Sequence, residues 1–233
     1  MARRTKEEAQ ETRCRILDTA EHVFFEKGVS RTSLTDIAVA AGVTRGAIYW
    51  HFRNKSDLFE AMFARIKMPF EELIEATIDL GEPDPLQRMR DVLMLVFEGT
   101  ASNPQRARVL DILYFKCEFT EDMGVVLSRH TDAMRDARHK MAAGLRNAVA
   151  KGQLPHDLDA DRAAVMLHGF LNGMLADWLL TPDQIDLARK ASTYIDALFD
   201  MLHHSPALRL GAIGEPDAMS PGVPPRPSSP GLG

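Results

Sequence analysis

Residues 34–52 read LTDIAVAAGVTRGAIYWHF, from Leu34 to Phe52, and their pattern decides the fold. Leu34, Ile37, Ala38 and Ala41 fall on one helical face, which predicts a short helix over 34–41. Gly42 supplies a position where positive φ costs little, so the chain turns tightly there. Val43 is the apolar plug of that turn, and Thr44 is placed to cap a third helix over 45–52. In that helix Ile48 and Phe52 face inward, Arg45 and Tyr49 share an adjacent flank, and Thr44, Ala47 and His51 share the other. Apolar anchors on one side and hydrogen-bonding groups on the other are what a helix inserted into the major groove of DNA requires.

Upstream, Ile16, Ala20 and Phe24 form a stripe that predicts a first helix from Arg3 to Gly28. Thr32 or Ser33 is positioned to cap the second helix. Downstream, Asn54 or Ser56 is expected to cap a fourth helix running through Leu58, Met62 and Ile66 to about Leu80, with a kink at Pro69. Lys55 lies near that helix start, where the dipole disfavours a cation, and a bound phosphate resolves the conflict.

After the loop 81–85, further helices are expected over 86–100, 104–119, 123–151, 160–180 and 183–203. No window alternates with a period of two, so the chain reads as all-α: a three-helix DNA-binding head with a larger helical body. The expected domains are 1–55 for the head, 56–204 for effector binding and dimerisation, and 205–233 for a Pro/Gly-rich tail. That tail holds seven of the thirteen prolines and five of the fifteen glycines. It has too little apolar surface to offset its ordering entropy and is expected to be disordered.

The chain has 233 residues and a net charge of −5, which by itself argues against nucleic acid. The average hides a gradient. Residues 1–55 hold ten Lys or Arg against seven Asp or Glu, a balance of +3, which leaves −8 on the remainder. A basic head on an acidic body suits contact with DNA at one end. Cys14 and Cys117 make neither a disulfide framework nor a zinc pattern, and a reducing cytoplasm follows. The charged start, with Arg3, Arg4 and Lys6, does not read as a secretory signal. The apolar run 163–180 contains His168, Asn172 and Asp177 and falls short of a clean membrane span. Asp157, Asp159 and Asp161 lack the glycine and terminal glutamate of a calcium loop, so acidic residues at a helix start are the better account. No metal or cofactor is expected. GxSxG, HExxH and P-loop motifs are absent, which leaves an all-α enzyme as a remote alternative.

Leu34–Phe52 followed by Asn54 and Lys55 resembles the DNA-binding signature of the TetR family of transcriptional regulators. The stretches 3–13 (RRTKEEAQETR), 42–52 (GVTRGAIYWHF) and 116–123 (KCEFTEDM) are similar to the AcrR/TtgR-like repressors of RND multidrug efflux pumps. The resemblance implies about nine helices, three of them in the head. It implies a homodimer reading a palindromic double-stranded operator, and release by a small hydrophobic effector such as an antibiotic or plant phenolic. A regulator of catabolic or lipid genes is the alternative within the family.

Carried onto this sequence, Arg45 would read base edges, and Thr44, Tyr49, His51 and Lys55 would contact phosphate or sugar. Gly46 would allow close backbone approach, and Ser33 would set its hydroxyl against a phosphate. Trp50 would pack against sugar or against the first helix. Candidates to line an effector pocket are Leu93, Val96, Phe97, Leu110, Leu113, Tyr114, Cys117, Met134, Met141, His168 and Asn172, with core packing as the competing account. Gly169 and Gly173 form a GxxxG pair suited to a dimer seam, since the family pairs its last two helices across a two-fold axis.

Overall fold

The computed structural model describes residues 2–66, 70–118 and 124–211. Within them the chain forms ten α-helices and no strand. The head holds α1 (Ala2–Lys27), α2 (Leu34–Ala40) and α3 (Arg45–His51). The body holds α4 (Lys55–Ala64), α5 (Phe70–Ile78), α6 (Pro85–Ala101), α7 (Pro104–Asp111), α8 (Gly124–Ala150), α9 (Ala160–Leu180) and α10 (Leu187–His204). The count exceeds nine because the expected long fourth helix is two helices, α4 and α5. The expected kink at Pro69 lies outside the described residues.

Local chemistry sets most of the boundaries. Ser33 and Asp36 form a reciprocal capping box at the start of α2, Thr44 caps α3 and Asn54 caps α4. Asp84 with Pro85, and Asn103 with Pro104, start α6 and α7. Each cap satisfies an amide that the helix itself leaves open. Gly42 takes φ +63°, as its turn demands. Gly144 on α8 has the opposite duty: a Cβ there would lie 3.0 Å from both Met89 Cε and Thr77 Oγ1, so its absence lets α5, α6 and α8 close together.

The expected helix over 104–119 ends early. After Asp111 the chain widens into a π-helical turn, Ile112–Lys116, before leaving the helix at Cys117. This turn buries Ile112 and Leu113 and ends with the Lys116 carbonyl accepting the Val29 amide of the α1–α2 loop at 2.9 Å.

Two cores result. The first joins Ile16, Leu17, Ala20, Phe24, Ile37, Ile48 and Phe52 of the head to Leu58, Phe59 and Met62 of α4, Val109 and Leu110 of α7, Ile112 and Leu113 of the π turn, and Val126 of α8. The second packs α6, the C-terminal half of α8, α9 and α10 around Leu93, Phe97, Leu145, Leu167, Leu171, Ile195 and Leu202.

The near part of the expected tail belongs to this second core. Leu208 is 3% exposed, and its carbonyl accepts the Asp159 amide at 2.8 Å. Arg209 donates to the carbonyls of Leu202 and His203 at the end of α10. Leu208, Arg209 and the Leu210 amide, which donates to the Asp157 carbonyl at 2.7 Å, hold residues 205–211, which composition had grouped with the rest; residues 212–233 lie outside the described part. Of the three nearby aspartates, Asp159 caps α9, and Asp157, Asp159 and Asp161 pair with Arg209, Arg162 and Arg146.

Candidate nucleic-acid interface and effector cavity

The outward face of α3 carries Arg45, Gly46, Tyr49 and Trp50, all exposed, while Ile48 is buried behind them. Arg45 lies over the Tyr49 ring, 5.6 Å from Cζ to the centroid. This stacking keeps the exposed guanidinium beside the outer face of the helix. A Cβ on Gly46 would meet only the Thr44 hydroxyl, at 3.9 Å. Packing within the chain therefore does not demand a glycine there.

Trp50 is 73% exposed and does not pack on α1 as one alternative had it. It stands edge-on to the half-buried His51, 4.5 Å between centroids. Burial, and then the charge of Arg13, push the His51 imidazole below its ordinary pKa. Less of the cationic form is therefore present at neutral pH than for a free imidazole.

Beside α3, Ser33, Tyr49 and Lys55 meet in a concavity of about 430 Å³, together with Arg31, Arg53 and Asn54. Neither arginine was singled out by sequence, although Arg31 lies two residues ahead of the Ser33 cap. Lys55 Nζ reaches back to the Ser30 carbonyl at 3.3 Å, so the cation at this helix start already has a partner within the chain. The Ser33 hydroxyl is committed too. It donates to the Asp36 carboxylate at 2.7 Å and accepts the Asp36 amide at 3.1 Å.

The effector candidates divide. Leu93 and Phe97 are buried in the second core, with Val96 and Met141 packed against it. Leu110 and Leu113 are buried in the first, with Tyr114 and Cys117 against it. Met134 is half-buried on α8. Tyr114, His168 and Asn172 do come together: the Tyr114 hydroxyl donates to Asn172 Oδ1 at 2.6 Å, and the Asn172 amide donates to the His168 carbonyl at 2.7 Å. Burial pushes the Cys117 thiol up to about 11 despite nearby Lys55, so it is no ready nucleophile at neutral pH.

A cavity of about 410 Å³ opens instead between α4 and α8, lined by Phe59, Ala61, Phe63, Leu113, Val126 and His130 among others. Leu113 alone of the sequence candidates lines it. Phe59 and Phe63 are four apart on α4, a visible helical pair, but nothing in the sequence shows which helix they face. The charges around the cavity are matched. Glu60 pairs with Arg129 across it, Asp57 pairs with Arg53, and burial pushes His130 below its ordinary pKa.

A helix-turn-helix with an open polar face, carried on an all-helical body, defines a DNA-binding transcription regulator. The chain belongs to the tetR family of bacterial regulatory proteins: residues 16–62 match that family, and residues 84–204 match the C-terminal region of MAATS-type transcriptional repressors. It is similar to the HTH-type transcriptional regulator TtgR of Pseudomonas putida, 46% identical over 209 residues, which cover 90% of this chain and all of that one. Among solved structures it is similar to NalD, the secondary repressor of the MexAB-OprM multidrug efflux pump in Pseudomonas aeruginosa. That likeness has a TM-score of 0.77 and 34% identity, covering 85% of this chain and 99% of NalD. It is also similar to SmeT in complex with triclosan, with a TM-score of 0.74 and 31% identity over 94% of this chain and 99% of that one. The chain is accordingly a regulator and not an enzyme.

Proposed function

We propose that the protein is a cytoplasmic homodimeric repressor of an RND-type multidrug efflux operon, released from a palindromic operator by small, uncharged, hydrophobic molecules. The observation that carries the reading is the cavity between α4 and α8. Its volume falls in the range of small-molecule sites, roughly 300–1,000 Å³. Its wall is apolar and its charges are paired, which favours a neutral occupant. One of its walls is α4, the helix that begins at Lys55 beside the DNA-facing concavity. A molecule that prefers a wider gap between α4 and α8 shifts the population away from the arrangement that fits the operator.

Pairing of two copies is supported by α9. Its Ala163, Ala164, Leu167, Leu171 and Leu175 are buried. Its other face leaves Val165 57% and Met166 48% exposed, and Gly169 and Gly173 have open space where a Cβ would point. By length and composition α9 is apolar enough to cross a membrane; a half-buried helix with a small-residue stripe suits a seam between two soluble subunits equally well. Two heads so joined would read half-sites about 34–36 Å apart.

Gel-shift titration at fixed salt, on DNA selected by the protein from random sequence, tests the reading. Triclosan and other neutral aromatics should raise the protein concentration needed for half-binding; binding indifferent to a broad panel overturns the efflux assignment. On the same DNA, Arg45→Ala should cost about 1–3 kcal/mol and leave random-sequence binding nearly untouched. Lys55→Ala should weaken both and lower the salt slope by about one.

A further inference from the structure

Glu21 lies on α1 within the buried stripe of Leu17, Ala20 and Phe24, and is itself 2% exposed. Both of its carboxylate oxygens are used by α7. Arg108 Nε donates to one at 2.7 Å and Gln105 Nε2 to the other at 2.9 Å. A buried ion pair is a poor source of net stability, because desolvation cancels most of its attraction. What a bidentate, fully hydrogen-bonded carboxylate does supply is a defined geometry. It fixes the angle between α1 and α7 more tightly than the leucines around it would.

Further contacts tie the same segment to the DNA-facing loop. The π turn that follows α7 ends at the Lys116 carbonyl, which holds the Val29 amide at 2.9 Å. The Lys55 ammonium reaches Ser30 in that loop at 3.3 Å. Ile112 and Leu113 of the turn lie in the same core as Ile37, Ile48 and Phe52. In the other direction, Tyr114 at the centre of the turn gives its hydroxyl to Asn172 on α9 at 2.6 Å, one residue before Gly173 of the open stripe. Its neighbour Leu113 lines the cavity between α4 and α8.

We propose that α7 and the π turn move with the DNA-reading head, that Glu21 is the positioning residue which makes them do so, and that the Tyr114–Asn172 hydrogen bond sets the head's place relative to the dimer seam. The inference rests on the reading of the protein as a dimer whose two heads span a palindrome. An occupant of the cavity presses on Leu113, strains the Tyr114–Asn172 contact beside it, and so changes the spacing of the heads without altering either head's own contacts.

The test uses the full chain and three DNAs derived from the selected operator: the intact palindrome, the palindrome with one base pair inserted at its centre, and an isolated half-site. The wild type should prefer the intact palindrome to the inserted one. Tyr114→Phe keeps the ring and removes only the hydroxyl. Glu21→Gln with Arg108→Gln removes both charges, the first without changing the side chain's shape. Each should reduce the preference for correct spacing by at least about threefold, and the triple variant by no more than either, because both act on one rigid unit. Half-site affinity should stay at the wild-type value, which a merely local defect in the head would not permit.

Spacing preference unchanged in both variants overturns the proposal. So does a half-site loss equal to the palindrome loss, or additive effects in the triple variant. Should the double exchange lower the melting temperature sharply, Arg108→Lys, which keeps a cation beside the carboxylate but loses the Nε donor, must still reduce the spacing preference. A wild type with no spacing preference at all means that the twin-head reading itself has failed. A wild type with a preference that the variants retain means that only this inference has.

Discussion

The two cores are built from different residues and closed in different ways. The head core is aromatic at its centre, with Phe24, Phe52 and Phe59 all buried and the Phe24 and Phe59 rings 6.4 Å apart. It is completed by α4, α7 and the π turn of its own chain. The body core is mostly leucine and alanine around a single fully buried ring, Phe97, and leaves an apolar, glycine-bearing strip of α9 exposed. One region is closed from within, and the other leaves apolar surface exposed. Short helices such as α2 and α3 cannot bury enough surface alone, whereas long helices like α8 and α9 bury one face and have another to spare.

The contrast can be broken most forcibly at Phe24. Phe24→Ala should cost about 3–5 kcal/mol, read by denaturant unfolding at fixed protein concentration. If the head core truly extends into the body, amide exchange should accelerate over 109–116 as well as over α1 to α3. Acceleration confined to residues 2–52 would show two separate units.

Next comes the open strip. Gly169→Glu with Gly173→Glu places like charges on the α9 face and should cost more than about 2 kcal/mol in self-association, seen as a shift to monomer in sedimentation. Little change in helix content is expected, since nothing beyond the adjacent residues and the helix's own backbone lies within 4 Å of the new Cβ positions. A dimer that persists would move the seam elsewhere.

A smaller effect is expected where the chain leaves the body core. Arg209→Ala removes two charge-assisted donors from the end of α10 and should lower stability by about 1.5–3 kcal/mol. Deleting residues 212–233 should leave the melting temperature as it was. Equal effects of the two changes would contradict the packing of residues 205–211.

The least of these effects concerns pH. His51, His130 and His168 are each pushed below the ordinary imidazole value, chiefly by burial. The unfolded chain therefore takes up protons first as the solution is acidified. Stability is complete above the ordinary value, about 6.5, and declines as pH falls through the window below it. Two of these histidines lie in the body and one in the head. His130→Gln should flatten the decline in melting temperature between neutral pH and 5.5 without abolishing it; an unaltered slope would assign the effect to other groups.

The head was largely legible in the sequence because its determinants are local. Ser33, Thr44 and Asn54 act within three residues of themselves, Gly42 acts at its own φ, and Ile48 and Phe52 announce a face by spacing. Even there, spacing left Trp50 between packing on α1 and facing outward, and its 73% exposure removes only the first. The cavity between α4 and α8 was scarcely legible, since Leu113 alone of the residues singled out for a pocket lines it. Leu93 and Phe97 have the same spacing whether they line a cavity or fill a core, and only the pairing of α4 with α8 distinguishes the two. Glu21 gave a faint signal, a charge within an apolar stripe, but its partners on α7 lie more than eighty residues away. The π turn gave none, since a widened turn is forced by packing at both of its ends.

The extension of the aromatic core into α7 bears on how such regulators can be recombined. A chimera that transplants residues 1–55 onto a foreign sensor body would carry Phe24 and Phe52 without Val109, Ile112 and Leu113 to roof them, and Glu21 without Gln105 and Arg108. The exchangeable unit is discontinuous. It comprises residues 2–66 together with 104–116 and the start of α8 at Val126, and designers of biosensors who respect that cut would move a finished part rather than half of one.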